Sequence, residues 1–171
     1  MATNCYIVGG MIIDPGDAPE HISDVLTKLE IEPKMIVATH GHFDHIMGAY
    51  ALQLMYNIPF YIHPDDVFLL SRMQSSAKHF LKLKDVDPPP VPSKFPENFP
   101  FIHTPGHTPG SICLKFDGAL VVGDALFADG SVGRTDHAYS RPLDLVASIK
   151  KIKSYPVGTR ILSGHGSEST L

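Results

Sequence analysis

Four side chains able to bind a metal fall within six residues in the stretch His40-Gly41-His42-Phe43-Asp44-His45. His40 and His42 alternate along a loop leaving an apolar strand, so both imidazoles can face one point. Asp44 and His45 open the next helical pattern, where the backbone turns them toward a second point. One short loop can therefore serve two neighbouring cations. Imidazole nitrogen and carboxylate oxygen suit zinc, iron or manganese, and the lack of a thiolate argues against a structural cysteine site.

Three later segments share a context: a ligand-type residue just after an apolar strand, flanked by glycine. They are Thr104-Pro105-Gly106-His107-Thr108-Pro109-Gly110, Gly123-Asp124-Ala125 and Gly164-His165-Gly166. Glycine lets the chain turn sharply at a strand end and present the side chain to a common edge. The donors then divide into His40, His42 and His107 around one metal, and Asp44, His45 and His165 around another. Asp124 is the natural bridge, because one carboxylate can bind two cations. The other histidines have ordinary readings. His21 and His79 lie on helix surfaces, His63 ends a strand before Pro64, and His103 sits on the strand leading to His107. Cys5 and Cys113 lie in apolar strands and read as buried thiols.

The elements that must carry these residues follow from periodicity. Cys5 to Ile13 reads as two short strands joined at Gly9-Gly10, with Asp14-Pro15-Gly16 as the turn that ends them. Ile22, Val25, Leu26 and Leu29 have helical spacing. Met35 to Thr39 is a strand running into His40, and Asp44 to about Tyr56 is a helix. Phe60 to His63 is a strand; a third helix, capped by Asp65 or Asp66, runs to about Leu83. Six prolines between 85 and 100 forbid a helix or central strand and predict an ordered surface loop. Phe101 to Thr104, Ser111 to Phe116 and Leu120 to Gly123 are strands, the last two a hairpin turned at Asp117-Gly118. Leu145, Ile149 and Ile152 mark a final helix, and Arg160 to Ser163 a final strand. Strands alternating with helices indicate an α/β layered domain.

Composition bounds the rest. A chain of 171 residues predicts one domain, 1–171, with a core that needs no staples. A net charge of −4 with no basic block excludes a nucleic-acid binder. No apolar run is long enough to span a bilayer, and no signal peptide precedes the first strand. Two cysteines cannot build a disulfide framework, so a reducing, cytoplasmic setting is expected. The serines Ser111, Ser131 and Ser167 lack a nucleophile-elbow context.

Together these motifs resemble the metallo-β-lactamase fold superfamily, and within it the glyoxalase II-like hydrolases. The resemblance spans almost the whole chain. It includes Asn4-Cys5-Tyr6, Ile13-Asp14-Pro15-Gly16, the histidine motif and the His107 segment. Gly123-Asp124-Ala125-Leu126-Phe127, Gly133-Arg134-Thr135-Asp136 and Gly164-His165-Gly166 complete it. It implies an αββα sandwich with the site at one edge between two mixed sheets. It implies two divalent metals, zinc first, iron or manganese otherwise, and a metal-bound hydroxide that cleaves an S-2-hydroxyacyl-glutathione-like thioester. Asp44 would orient the nucleophile, and Asp44 and Asp124 would be catalytic as well as ligands. Asp14 would be a carboxylate supporting the site, where the bare reading is a turn residue. Arg134 would touch the thiol carrier, where the alternative is a local ion pair with Asp129 or Asp136.

The chain departs from that family pattern in several places. An edge strand before Asn4 and a C-terminal helical domain that helps hold glutathione are missing. The proline-rich stretch replaces a strand pair, and His137 stands where an aromatic residue is common. A bare edge would favour a homo-oligomer. The same residues also fit a persulfide dioxygenase with one iron on His40, His107 and Asp124, or a member of the fold that kept the metals and lost turnover. A β-lactam hydrolase fits less well after Asp124.

Overall fold

A computed structural model describes residues 2–171. Two five-stranded sheets face each other. The first has the order β1-β2-β3-β4-β5: β1 (Tyr6–Val8), β2 (Met11–Ile13), β3 (Met35–Val37), β4 (Phe60–Tyr61) and β5 (Pro92–Ser93). The second runs β10-β9-β8-β7-β6: β6 (Ile102–His103), β7 (Ile112–Phe116), β8 (Ala119–Gly123), β9 (Arg160–Ser163) and β10 (Ser169–Thr170). Both are mixed. β2, β3, β4 and β5 run parallel, as do β8 and β9, while β1, β7 and β10 run against their neighbours.

Adjacent residues of one strand point to opposite faces, and each face has its own core. Ile13, Val37, Tyr61, Ile112, Leu114, Val121 and Leu162 pack between the sheets. Their neighbours Ile12, Ile36 and Phe60 point outward to meet Ile22 and Leu26 of α1 (Pro19–Lys28), Leu52 of α3 (Ala49–Tyr56) and Met73 of α5 (Met73–Leu81). On the far side, Cys113, Leu120, Val122 and Ile161 pack on Leu145 and Ile152 of α6 (Pro142–Lys153). Strands buried on both faces read as continuous apolar runs, which is how these appear in the sequence. The layers are therefore α, β, β, α, as the resemblance implies.

Several elements differ from the sequence reading. The helix expected from Asp44 to Tyr56 is two pieces, α2 (Phe43–Ile46) and α3. The chain turns at Gly48, whose N–H donates to the Gly16 carbonyl at 2.6 Å. The third helix is also divided. A 3₁₀ turn (Pro64–Asp66) leads into α4 (Val67–Leu70), and the helix restarts as α5 after Arg72. Asp66 does not cap it, because its carboxylate is committed elsewhere. Instead the His63 ring accepts from the Asp65 N–H at 3.3 Å. The proline-rich stretch contains β5 on the sheet edge, the one place a sheet tolerates proline. β10 was not expected at all. Cys5 is half-buried rather than buried; Cys113 is buried as expected.

The strand ends converge. β2, β3, β6, β8 and β9 stop at one edge of the sandwich and release Asp14, His40, His107, Asp124 and His165 there. The two sheets are joined at this edge. The Ile112 N–H donates to the Thr39 carbonyl at 2.8 Å, and the Asn4 N–H to the Gly164 carbonyl at 2.8 Å. Gly123 sits here with φ +53°, and a Cβ on it would collide with the Thr39 side chain. Only glycine satisfies both demands at that position.

Burial pushes the Cys113 thiol up to about 12, and burial with the nearby Asp14 charge does the same to Cys5. Neither forms thiolate near neutrality. Both thiols should therefore resist iodoacetamide at pH 8 in the folded protein and react only on unfolding. Rapid native labelling followed by mass spectrometry would contradict this.

Candidate metal centre

His40, His42 and His107 bring one ring nitrogen each into a common cluster, and Asp44, His45 and His165 form a second. The lone-pair side of each imidazole follows from what its other nitrogen does. His107 Nδ1 donates to the Arg134 carbonyl at 2.8 Å, which leaves Nε2 as the acceptor facing inward. His165 Nδ1 donates to the Ala2 carbonyl at 2.8 Å, and His45 Nδ1 to Asp14 Oδ2 at 2.9 Å, which turns Nε2 of each ring inward. Thr39 Oγ1 donates to Asp14 Oδ2 at 2.6 Å, so its lone pair faces His40 Nδ1 at 3.1 Å. His42 is turned the other way: Nε2 shares a hydrogen bond with Tyr139 Oη at 2.9 Å and Nδ1 faces the cluster.

These inward nitrogens crowd one another. His42 Nδ1 lies 3.1 Å from His40 Nε2 and 3.0 Å from His107 Nε2; His45 Nε2 lies 3.3 Å from His165 Nε2. Asp124 stands between the clusters, with Oδ1 3.5 Å from His45 Nε2 and Oδ2 3.7 Å from His107 Nε2 and 3.6 Å from His165 Nε2. Its Oδ1 is buried and has no hydrogen-bond partner among the described residues. An orphaned carboxylate oxygen amid converging ring nitrogens is what a cation-binding site requires and what a packed core avoids. The donor set fits divalent metals on this observation.

The electrostatics agree. Burial, then the neighbouring imidazoles, hold His40 well below its ordinary range; burial and His107 bring His42 down to about 2. Both are neutral at physiological pH, the state a ligand needs. His45 goes the other way. Burial opposes its charge, but Asp14, by charge and hydrogen bond, lifts it to about 9. Asp44 is brought down to about 2, because the His165 contact and the His45 charge outweigh its burial. The second cluster thus demands positive charge.

Asp14 is a fully buried carboxylate with φ +49°. Besides His45 and the Thr39 hydroxyl it accepts the Thr39 N–H at 2.7 Å. It is a turn residue and a support for the site at once. Asp66, which the sequence reading assigned to a helix cap, ties the two histidine loops together. Its carboxylate accepts from the Gly41 N–H at 2.9 Å, the Gly110 N–H at 2.6 Å and the Thr108 hydroxyl at 2.7 Å. Nothing local in the sequence signals this, since the partners lie on remote loops. Tyr139 was likewise not foreseen. Arg134 takes the local alternative: Nε and Nη2 each donate to Asp136 at 2.6 Å, on the surface, while Asp129 holds Ser131. His63 and His103 stack at 4.3 Å outside both clusters, and His21 and His79 are exposed.

A cavity of about 310 Å³ opens over the clusters, walled by Phe43, Phe80, Phe127, His137 and Tyr139, with Asp124 and His165 at its base. A larger groove of about 500 Å³ along Asn4, Tyr6 and His21 holds none of the converging ligand sets.

The profile of the metallo-beta-lactamase superfamily matches residues 1–165. The chain belongs to that superfamily. It is 30% identical to the hydroxyacylglutathione hydrolase GloC of Haemophilus influenzae, over 98% of this chain and 87% of that one. It is also 30% identical to the probable metallo-hydrolase YqgX of Bacillus subtilis, over 93% and 81%. Among solved structures, TTHA1623 in a di-iron-bound form superposes with a TM-score of 0.90 at 33% identity, over 98% of this chain and 89% of that one. The B3 metallo-beta-lactamase BLEG-1 superposes at 0.82 with 31% identity, over 98% and 88%. No helix among the described residues is long and apolar enough to cross a membrane.

Asp66→Ala should cost about 3 kcal/mol, because it strands two buried N–H groups and a hydroxyl. Urea denaturation measures this, and an unchanged midpoint would refute the clamp. Gly164→Ala should spare the fold but lower metal affinity by at least about tenfold, since a Cβ there meets the Asp124 carboxylate and lies 2.6 Å from the His45 ring. Chelator competition reads it out.

Proposed function

We propose that this chain is a thioester hydrolase of the glyoxalase II type, acting on an S-2-hydroxyacyl-glutathione-like substrate with two divalent metals. His40, His42 and His107 would hold one metal, Asp44, His45 and His165 the other, and Asp124 would bridge them. The observation that carries this reading is the Asp124 carboxylate, buried with one oxygen unpartnered between two donor clusters at the base of an aromatic cavity. The hydrolase name of GloC supports the reaction class. The di-iron form of TTHA1623 supports a pair of metals, and zinc remains the first candidate from the donor set.

Bound metals supply an acidified water near neutral pH and polarisation of the thioester carbonyl. The protein's own groups do the positioning. Asp44, kept ionised by His165 and His45, can accept a hydrogen bond from the attacking water and fix its direction. Tyr139 Oη holds the His42 ring so that Nδ1 points inward. Phe43, Phe80 and Phe127 keep bulk water from the acyl group. A thiolate leaves without a general acid, so no Ser-His-Asp set is needed.

The likeness to BLEG-1 favours β-lactam hydrolysis as a second reading. A single-iron dioxygenase would leave Asp44, His45 and His165 without a role, and the likeness to ETHE1 of Myxococcus xanthus, at 18% identity, speaks to the fold alone.

Protein of measured metal content should hydrolyse S-lactoylglutathione and leave a chromogenic cephalosporin intact. His42→Ala and Asp124→Ala should each lower kcat/KM by at least about 100-fold, beyond the usual effect of outer partners of ligands. Full turnover in both variants, or cephalosporin cleavage alone, would overturn the assignment.

A further inference from the structure

The cation expected to meet the thiol carrier, Arg134, lines the cavity, but its charge is occupied. Asp136 takes two of its N–H groups in a bidentate pair, and the pair is neutral to an approaching anion. Arg72 is in the opposite condition. It makes no ion pair, and its guanidinium has no protein acceptor among the described residues. It is nevertheless held in place. The guanidinium carbon lies 5.3 Å from the Phe68 ring centre and 5.8 Å from that of Tyr139, and these two rings meet edge to face at 5.4 Å. Aromatic faces fix a guanidinium without consuming its donors.

Its direction relative to the site is also defined. Arg72, the residue that caps α5, precedes Ser76 and Phe80 of that helix at intervals of four, and the Ser76 N–H donates to the Arg72 carbonyl at 2.9 Å. Ser76 and Phe80 line the cavity over the clusters, as does Tyr139 from the opposite loop. Arg72 therefore sits at the rim, one turn beyond the cavity-lining Ser76, against the Tyr139 ring whose hydroxyl meets His42.

We infer that Arg72 is the anion anchor of this enzyme: it receives a carboxylate or phosphate on the thiol carrier of the substrate, while the aromatic wall takes the acyl and thioester part. This role presupposes the thioester reaction proposed above. Five unused donors in a planar fork suit either anion, and the two come from different carriers, a carboxylate from a glutathione-type peptide and a phosphate from a coenzyme A-type thiol.

Non-hydrolysable thioethers separate the possibilities. S-hexylglutathione, S-hexyl-coenzyme A and S-hexyl-N-acetylcysteamine share one apolar chain and differ in carrying carboxylates, phosphates or no charge. Calorimetry on metal-loaded protein should show at least one anionic thioether bound more tightly than the neutral one. Arg72→Ala should remove about tenfold of that preference, as expected for a lost charge-assisted contact. Arg72→Lys should restore part of it, and Arg134→Ala should change it little. The thioether that loses affinity identifies the carrier. No preference in the wild-type protein, a preference unmoved by Arg72→Ala, or one lost in Arg134→Ala instead would overturn the assignment. Hydrolysis of S-lactoylglutathione measured alongside keeps the two ideas apart. Turnover with no Arg72-dependent preference sinks the anchor alone, and an Arg72-dependent preference without turnover sinks the hydrolase reading alone.

Discussion

Carboxylates are costly to bury unless positive charge or donors face them. Asp14, Asp44 and Asp124 lie at one edge of this sandwich, surrounded by the rings of His40, His42, His45, His107 and His165. Only Asp14 is fully satisfied by protein donors. Asp124 leaves one buried oxygen without a hydrogen-bond partner, and His40 and His107 aim lone pairs rather than protons at the centre. Most of the architecture exists to hold this unfavourable arrangement together, because a cation resolves it and an empty core does not.

The support is layered. Backbone carbonyls and carboxylates behind the rings fix which nitrogen faces inward. Asp14 does this for His45 directly and for His40 through Thr39, so a residue on β2's end governs ligands from the loop after β3. Asp66 acts one step further out, by joining the backbones of the two loops that carry His42 and His107. Burial makes Asp66 a weaker acid, against the pull of the hydrogen bonds it accepts, which is the cost of placing a clamp in the interior. The sheets meet closely where Gly123 faces Thr39, and Asp124, the next residue, stands between the two clusters.

Around the polar centre, the wall is aromatic. Phe43 stacks on Phe80 at 5.8 Å and 4°, and His137 stacks on Tyr139 at 5.0 Å and 13°. Such a wall lowers the local dielectric and strengthens every charge interaction inside. At its margin, Arg134 is neutralised by Asp136 and Arg72 is not.

The sequence by itself determined the donors and their grouping. His40-Gly41-His42-Phe43-Asp44-His45 is legible because all its information is local: residue types, spacing and a preceding strand. The glycine-flanked strand ends at His107, Asp124 and His165 are legible for the same reason, as are the strands, whose double burial writes itself as continuous apolar runs. The layered fold and the superfamily followed. Tertiary structure decided what depends on residues far apart in the chain. Asp66 looks like a helix cap because a cap needs only its neighbours, but Gly41, Thr108 and Gly110 offer it three donors in the interior. The break at Gly48 comes with a close contact to the remote Gly16 turn, which helical periodicity does not record. Arg134 and Arg72 look alike in a list of residues. Their difference in available charge arises from Asp136 two positions away in one case, and from the meeting of Phe68 with Tyr139 across the fold in the other.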